Sequence, residues 1–138
     1  MTRSADPEFM VRRFYDDVWN RWDDSAVDEL LAADFVFRGS LGDEAQGRDG
    51  FRAYRDKVRR AARDFHNEIT DLVANEGRVA ARLEYSGHHT GLLLELPPTW
   101  VSFRYTGAAF FTVHRGLLSK AWVLGDLEAL RRQLVGRR

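Results

Sequence analysis

Apolar residues recur at Val11, Phe14, Tyr15, Val18, Trp19 and Trp22, with Arg12, Arg13, Asp16, Asp17 and Arg21 between them. That i, i+3, i+4, i+7, i+8, i+11 spacing predicts one buried stripe on a helix. Asp23-Asp24 interrupts it. Ser25, with Asp28 three residues on, resembles a capping box and starts a second helix through Leu30, Leu31 and Ala33. Asp34 ends that helix, and Phe35-Val36-Phe37 reads as a short strand. After a polar loop from Gly39 to Gly47, Asp49 caps a third helix whose apolar face is Phe51, Tyr54, Val58, Ala61, Ala62 and Phe65. The period then changes to two. Strands are predicted over 68–74, 79–85, 100–113 and 117–124, with His114-Arg115-Gly116 as a tight turn in which Gly116 takes a positive φ. Asp126 caps a closing helix that carries Leu127, Leu130, Leu134 and Val135. The order predicts an α+β cone, a curved antiparallel sheet covered by three to four helices around a central cavity.

Composition narrows the possibilities. The 138 residues suit one domain with a real core. Lys plus Arg and Asp plus Glu stand at 21 each, so no global charge favours nucleic acid or membrane. The chain has no cysteine and no apolar run near the roughly 20 residues of a membrane span, which predicts a cytoplasmic protein. Asp6-Pro7-Glu8-Phe9 before Met10 reads as a vector-derived segment, so residues 1–9 are set aside and 10–138 are taken as the domain. The basic face of the third helix (Arg52, Arg55, Lys57, Arg59, Arg60, Arg63) reads as solvated, since no aromatic platform or phosphate loop accompanies it. Four scattered histidines give no metal-ligand spacing.

Trp19-Asn20, Asp34-Phe35-Val36, Gly47-Arg48-Asp49-Gly50-Phe51, Val79-Ala80-Ala81-Arg82, Gly87-His88-His89-Thr90-Gly91, Pro97-Pro98-Thr99 and Trp122 with Asp126-Leu127 stand in this order. Together they resemble the signatures of the SnoaL-like polyketide (ester) cyclase family of the NTF2-like superfamily, over nearly everything from Val11 to Leu134. The resemblance implies a cone fold, a homodimer through the outer sheet face, and a cofactor-free acid/base enzyme. Such an enzyme closes a ring by aldol attack, using an Asp on the last long strand and a His on the strand facing it. Alignment on Pro97-Pro98 and Asp126-Leu127 puts Val123 at the Asp position and Ala109 at the His position. Neither can move a proton.

Strand alternation turns Phe103, Tyr105, Gly107, Ala109, Phe111, Val113, Ser119, Ala121 and Val123 inward, if no bulge intervenes. Arg104, Thr112, Lys120 and Trp122 then lie outside. The predicted ligand-binding residues are Tyr15, Trp19, Arg38, Tyr85, Phe103, Ala109, Phe111, Ser119 and Val123, with Arg38 placed to hold an anionic group. Catalytic candidates are His89, Tyr105 and Asp126; His89 equally suits capping the Gly87–Gly91 turn, and Asp126 the closing helix. The expected function is cyclase or isomerase chemistry on a hydrophobic small molecule. The alternatives are a non-catalytic binder of such a molecule and a cofactor-free monooxygenase.

Overall fold

The computed structural model describes residues 6–136. Helix α1 (Pro7–Arg13) starts four residues before the apolar stripe indicates, because Asp6 Oδ1 accepts from the Glu8 amide and Pro7 sits in the first turn. Asp6-Pro7 is thus a helix start; residues 1–5 of the segment set aside lie outside the described residues. The helix runs on as a π-helical segment, Phe14–Asn20, whose wider turn ends with the Arg21 amide donating to the Asp16 carbonyl. Trp22 leaves the stripe there with φ 60°.

Helix α2 (Asp24–Leu30) is capped by Asp23 rather than Ser25, and it stops at Leu30. Residues 31–33 belong instead to β1 (Leu31–Arg38), where Leu31 pairs with Leu118. After the short β2 (Glu44–Gln46), α3 (Gly47–Ala61) starts two residues before Asp49, which lies in its first turn and pairs with Arg52. Four strands follow: β3 (His66–Asn75), β4 (Arg78–His88), β5 (Ser102–His114) and β6 (Leu117–Gly125). Helix α4 (Leu127–Leu134) closes the chain.

The sheet order is β2-β1-β6-β5-β4-β3, curved and unclosed. It is mixed rather than wholly antiparallel, since β1 runs parallel to β6. Arg115 and Gly116, both at positive φ, form the two-residue turn between β5 and β6. Phe14 sits at the centre of the core, fully buried, with Tyr15, Phe35, Phe37, Phe51 and Phe111 around its ring. Three of the six cations of α3 find carboxylates among the described residues: Arg52 reaches Asp24, Asp28 and Asp49, Arg55 reaches Asp24, and Lys57 reaches Asp43. This fits a structural helix face. Among the described residues, no helix is long and apolar enough to cross a membrane.

Candidate functional site

Alternation along most of β5 and the end of β6 reads the inner face of the sheet correctly, and β4 adds Leu83 and Tyr85 to it. Leu83, Tyr85, Phe103, Tyr105, Ala109, Phe111, Ala121 and Val123 are all buried. Gly107 and Gly125 face each other across β5 and β6. A Cβ at 107 would stand 2.7 Å from the Tyr85 ring, and one at 125 would stand 3.1 Å from the Tyr105 ring and 2.8 Å from the Ser40 carbonyl. The glycine pair therefore makes room for two tyrosines whose ring centroids lie 4.7 Å apart. Gly39 does the same for Tyr54, whose ring a Cβ would meet at 2.2 Å.

All four tyrosines of the chain, Tyr15, Tyr54, Tyr85 and Tyr105, end up in this interior. Tyr105 shares a 2.9 Å hydrogen bond with the Ser40 hydroxyl, and the Leu41 amide donates to the Tyr54 oxygen at 3.3 Å. The Tyr85 hydroxyl is buried without a hydrogen-bond partner. Burial raises the pKa of every one of them, Tyr54 to about 12. At neutral pH they are hydrogen-bond donors and cannot serve as bases.

The expected central cavity is nearly filled. Among its walls are Tyr15, Trp19, Tyr54, Tyr85, Asn67 and Val123, and the space open to the centre of a water-sized sphere is about 10 Å³. That admits roughly one water. Trp19 closes it by packing on Phe51, Tyr54 and Phe65. Phe103, Ala109 and Phe111 face inward but serve as packing around the void rather than as its lining.

The positions that the family resemblance gives to the acid/base pair are directly opposed here. Ala109 pairs with Val123 across β5 and β6, both buried, so methyl groups face each other where a proton would move.

Several candidates point elsewhere. His89 is fully buried, but both ring nitrogens are spent on the β4–β5 loop. Its Nδ1 accepts from the Thr99 amide at 3.2 Å and lies 2.9 Å from the Thr99 hydroxyl, which leaves Nε2 to donate to the Leu96 carbonyl at 3.2 Å. It ties the loop down. Asp126 is exposed and accepts from the Ala129 amide, capping α4. Arg38 lies on the outer side, donating to the Val123 carbonyl with its guanidinium 5.2 Å over Trp122. Ser119 is displaced by a bulge between Thr112 and Val113, which turns Leu118 inward instead; the Ser119 hydroxyl donates to the Thr112 carbonyl.

Ser40, Phe65 and Asn67 line the interior although nothing in the sequence pattern marked them as site residues. Ser40 sits in a polar loop, and its inward turn depends on Gly39 lying against Tyr54. Asn67 is held by Asn20, which accepts from the Asn67 amide and donates to its carbonyl.

The outer face is the opposite case. Val36, Val73, Phe110, Trp122 and Leu124 are exposed on it, beside Arg104 and Lys120 as the alternation predicts. A groove of about 540 Å³ runs between Val73, Arg78, Phe110, Lys120 and Trp122. No cluster of three metal-ligating side chains occurs among the described residues.

The chain is similar in structure to a proposed SnoaL-like polyketide cyclase from Jannaschia sp. CCS1, with a TM-score of 0.84 and 16% identity over 94% of this chain and 91% of that one. TsrD from Streptomyces laurentii aligns at a TM-score of 0.82 and 24% identity, over 97% of each chain. AclR from Streptomyces galilaeus, a proposed hydroxylase, aligns at 0.79 and 22% identity over 96% of this chain and 82% of that one. No curated protein matches by sequence. These identities speak for the fold alone, but the family's own sequence signature is matched over residues 9–134. The chain belongs to the SnoaL-like polyketide cyclase family.

Proposed function

We propose that this domain takes a hydrophobic, carbonyl-bearing small molecule into its tyrosine-lined interior, whose one-water void enlarges as the aromatic rings that wall it swing aside, and holds the carbonyl oxygen by hydrogen bonds from tyrosine. The unpartnered Tyr85 hydroxyl carries this reading. A buried hydroxyl without a partner costs about 1–3 kcal/mol, and a ligand oxygen in place of that void relieves the cost. Tyr105, held by Ser40 with its ring centroid 4.7 Å from that of Tyr85, backs this wall, and Tyr15 and Tyr54 line the same void. Neutral phenols aimed at an oxygen also stabilise an enolate, so the site can polarise a carbonyl. It has no base to take the proton from carbon, because Ala109 and Val123 occupy that place. Binding, with carbonyl polarisation as its chemical reach, is the function this interior supports best.

Family membership favours a second reading, ring closure or isomerisation of a polyketide-like substrate. One experiment separates the two. Protein purified from its own host is analysed by native mass spectrometry, and whatever it retains is extracted, identified and incubated with fresh protein. A retained carbonyl compound returned unaltered supports the binder. Conversion by the wild type and not by Tyr85→Phe supports the enzyme. An empty protein that binds no hydrophobic carbonyl compound overturns both.

The outer sheet face completes the proposal as a homodimer surface. A contiguous apolar patch of this kind, rimmed by Arg104 and Lys120, is characteristic of an interaction site. Light scattering is expected to give twice the chain mass for the wild type and the single mass for Phe110→Glu.

A further inference from the structure

A second, solvent-open pocket lies where the π-helical segment meets the C-terminal end of α3. Its volume is about 170 Å³, and Trp19, Val58 and Phe65 line both it and the interior void. Side chains alone separate the two spaces. The ring centroids of Trp19 and Phe65 are 5.9 Å apart at 56°, and Phe65 is half-buried, so swinging one ring joins outside to inside without moving a strand.

The charge of this pocket is one-sided. Nearer the start of α3, Arg52, Arg55 and Lys57 all reach carboxylates. Arg59, Arg63 and His66 line the pocket, and none of them has a carboxylate within 4.0 Å among the described residues. The acidic residue that lines the pocket, Asp64, is already engaged by the amide and ring of His88, at 2.8 and 2.6 Å. Trp22, at φ 60°, occupies a backbone region that bulky residues avoid, and it carries the guanidinium groups of Arg55 and Arg59 at 4.1 and 4.3 Å from its ring. Strained backbone of this kind gathers at functional sites. In a chain with no net charge, the cations here are a local arrangement.

We propose that this pocket is the way into the interior and a subsite for an anionic group, so that the ligand is a hydrophobic molecule bearing a carboxylate or comparable anion. Its apolar body passes the Trp19–Phe65 wall while the anion stays with Arg59, Arg63 and His66. This rests on the interior being the ligand site.

The test uses two dyes that share one apolar body, phenylnaphthylamine and its sulfonated form, anilinonaphthalene sulfonate. Wild-type protein is expected to bind the sulfonate about tenfold more tightly than the neutral dye, as charge-assisted hydrogen bonds to guanidinium imply. Arg59→Gln with Arg63→Gln removes that advantage and leaves the neutral dye's affinity in place, which also shows the variant is folded. Phe65→Ala speeds the association of both dyes. Equal affinities in the wild type, or an advantage that survives the double substitution, overturn the anion subsite while the interior reading stands. If neither dye binds, both inferences fall.

Discussion

Phe110 and Phe111 are neighbours in sequence and opposites in structure. Phe111 is 1% exposed and packs its ring against Phe14 and Tyr15, whereas Phe110 is 54% exposed and leans on Trp122. The same two strands thus carry two apolar faces, one sealed by the chain's own helices and one left open. Strand alternation separates the faces but does not say what covers each. The inner face is closed because the π-helical segment and α3 supply aromatic side chains of matching size and α1 adds Met10 and Val11, leaving one unpartnered hydroxyl and a void of about one water. Among the described residues, the outer face has no such cover.

The largest expected difference between the faces is in stability. Phe111→Ala should cost about 3–5 kcal/mol in denaturant unfolding, and Phe110→Ala less than about 0.5 kcal/mol at dilutions where the protein is monomeric. Similar losses at both positions would mean that the outer face is covered within a single chain.

Alkaline titration reads the inner face as a whole. All four tyrosines are buried with raised pKa values, so their folded forms stay neutral where the unfolded chain ionises near pH 10. The stability they contribute is complete below about pH 10 and falls as pH rises, from pH 10 towards about 12 for Tyr54. Tyrosinate absorbance should therefore appear together with unfolding, in one cooperative step. A separate phase near pH 10 would show that a tyrosine has access to water.

A smaller effect belongs to the loop between β4 and β5. Leu94 and Glu95 both have positive φ, inside a tight turn closed by reciprocal hydrogen bonds between Leu93 and Leu96. Asn and Gly take these angles more readily. Glu95→Gly, at an exposed position, should stabilise the protein by about 1 kcal/mol in thermal unfolding, the cost of a non-glycine residue in the left-handed region. No gain would indicate that the turn is relaxed as it stands.

Much of this comparison is legible in the sequence. Alternation from Phe103 to Phe111 identifies both faces of β5, because a period of two survives wherever pairing is regular. It fails at Ser119, since Ser119 is itself the extra residue that β6 carries opposite Thr112 and Val113, and a bulge leaves no mark in composition. The first helix is recognised by its stripe, but not its π-helical half, which depends on how Trp19 meets Phe51, Tyr54 and Phe65. Leu31 to Ala33 suit a helix locally and are drawn into β1 by pairing with β6, a contact far away in the chain. The site residues divide in the same way. Tyr85 and Tyr105 follow from alternation, whereas the structural role of His89 depends on Thr99 and Leu96 folding back over it. The filling of the cavity follows from three-dimensional ring packing that no linear pattern records.

Tyr85→Phe tests most directly whether the inner face is a binding site or only a core. The variant deletes one hydroxyl that has no partner and keeps the ring beside Tyr105 and Phe65. A binding site kept at the expense of stability predicts a ligand-free protein more stable by about 1 kcal/mol, with weaker retention of the hydrophobic ligand. A variant less stable than the wild type, with retention unchanged, would contradict the account and leave the tyrosines as packing alone.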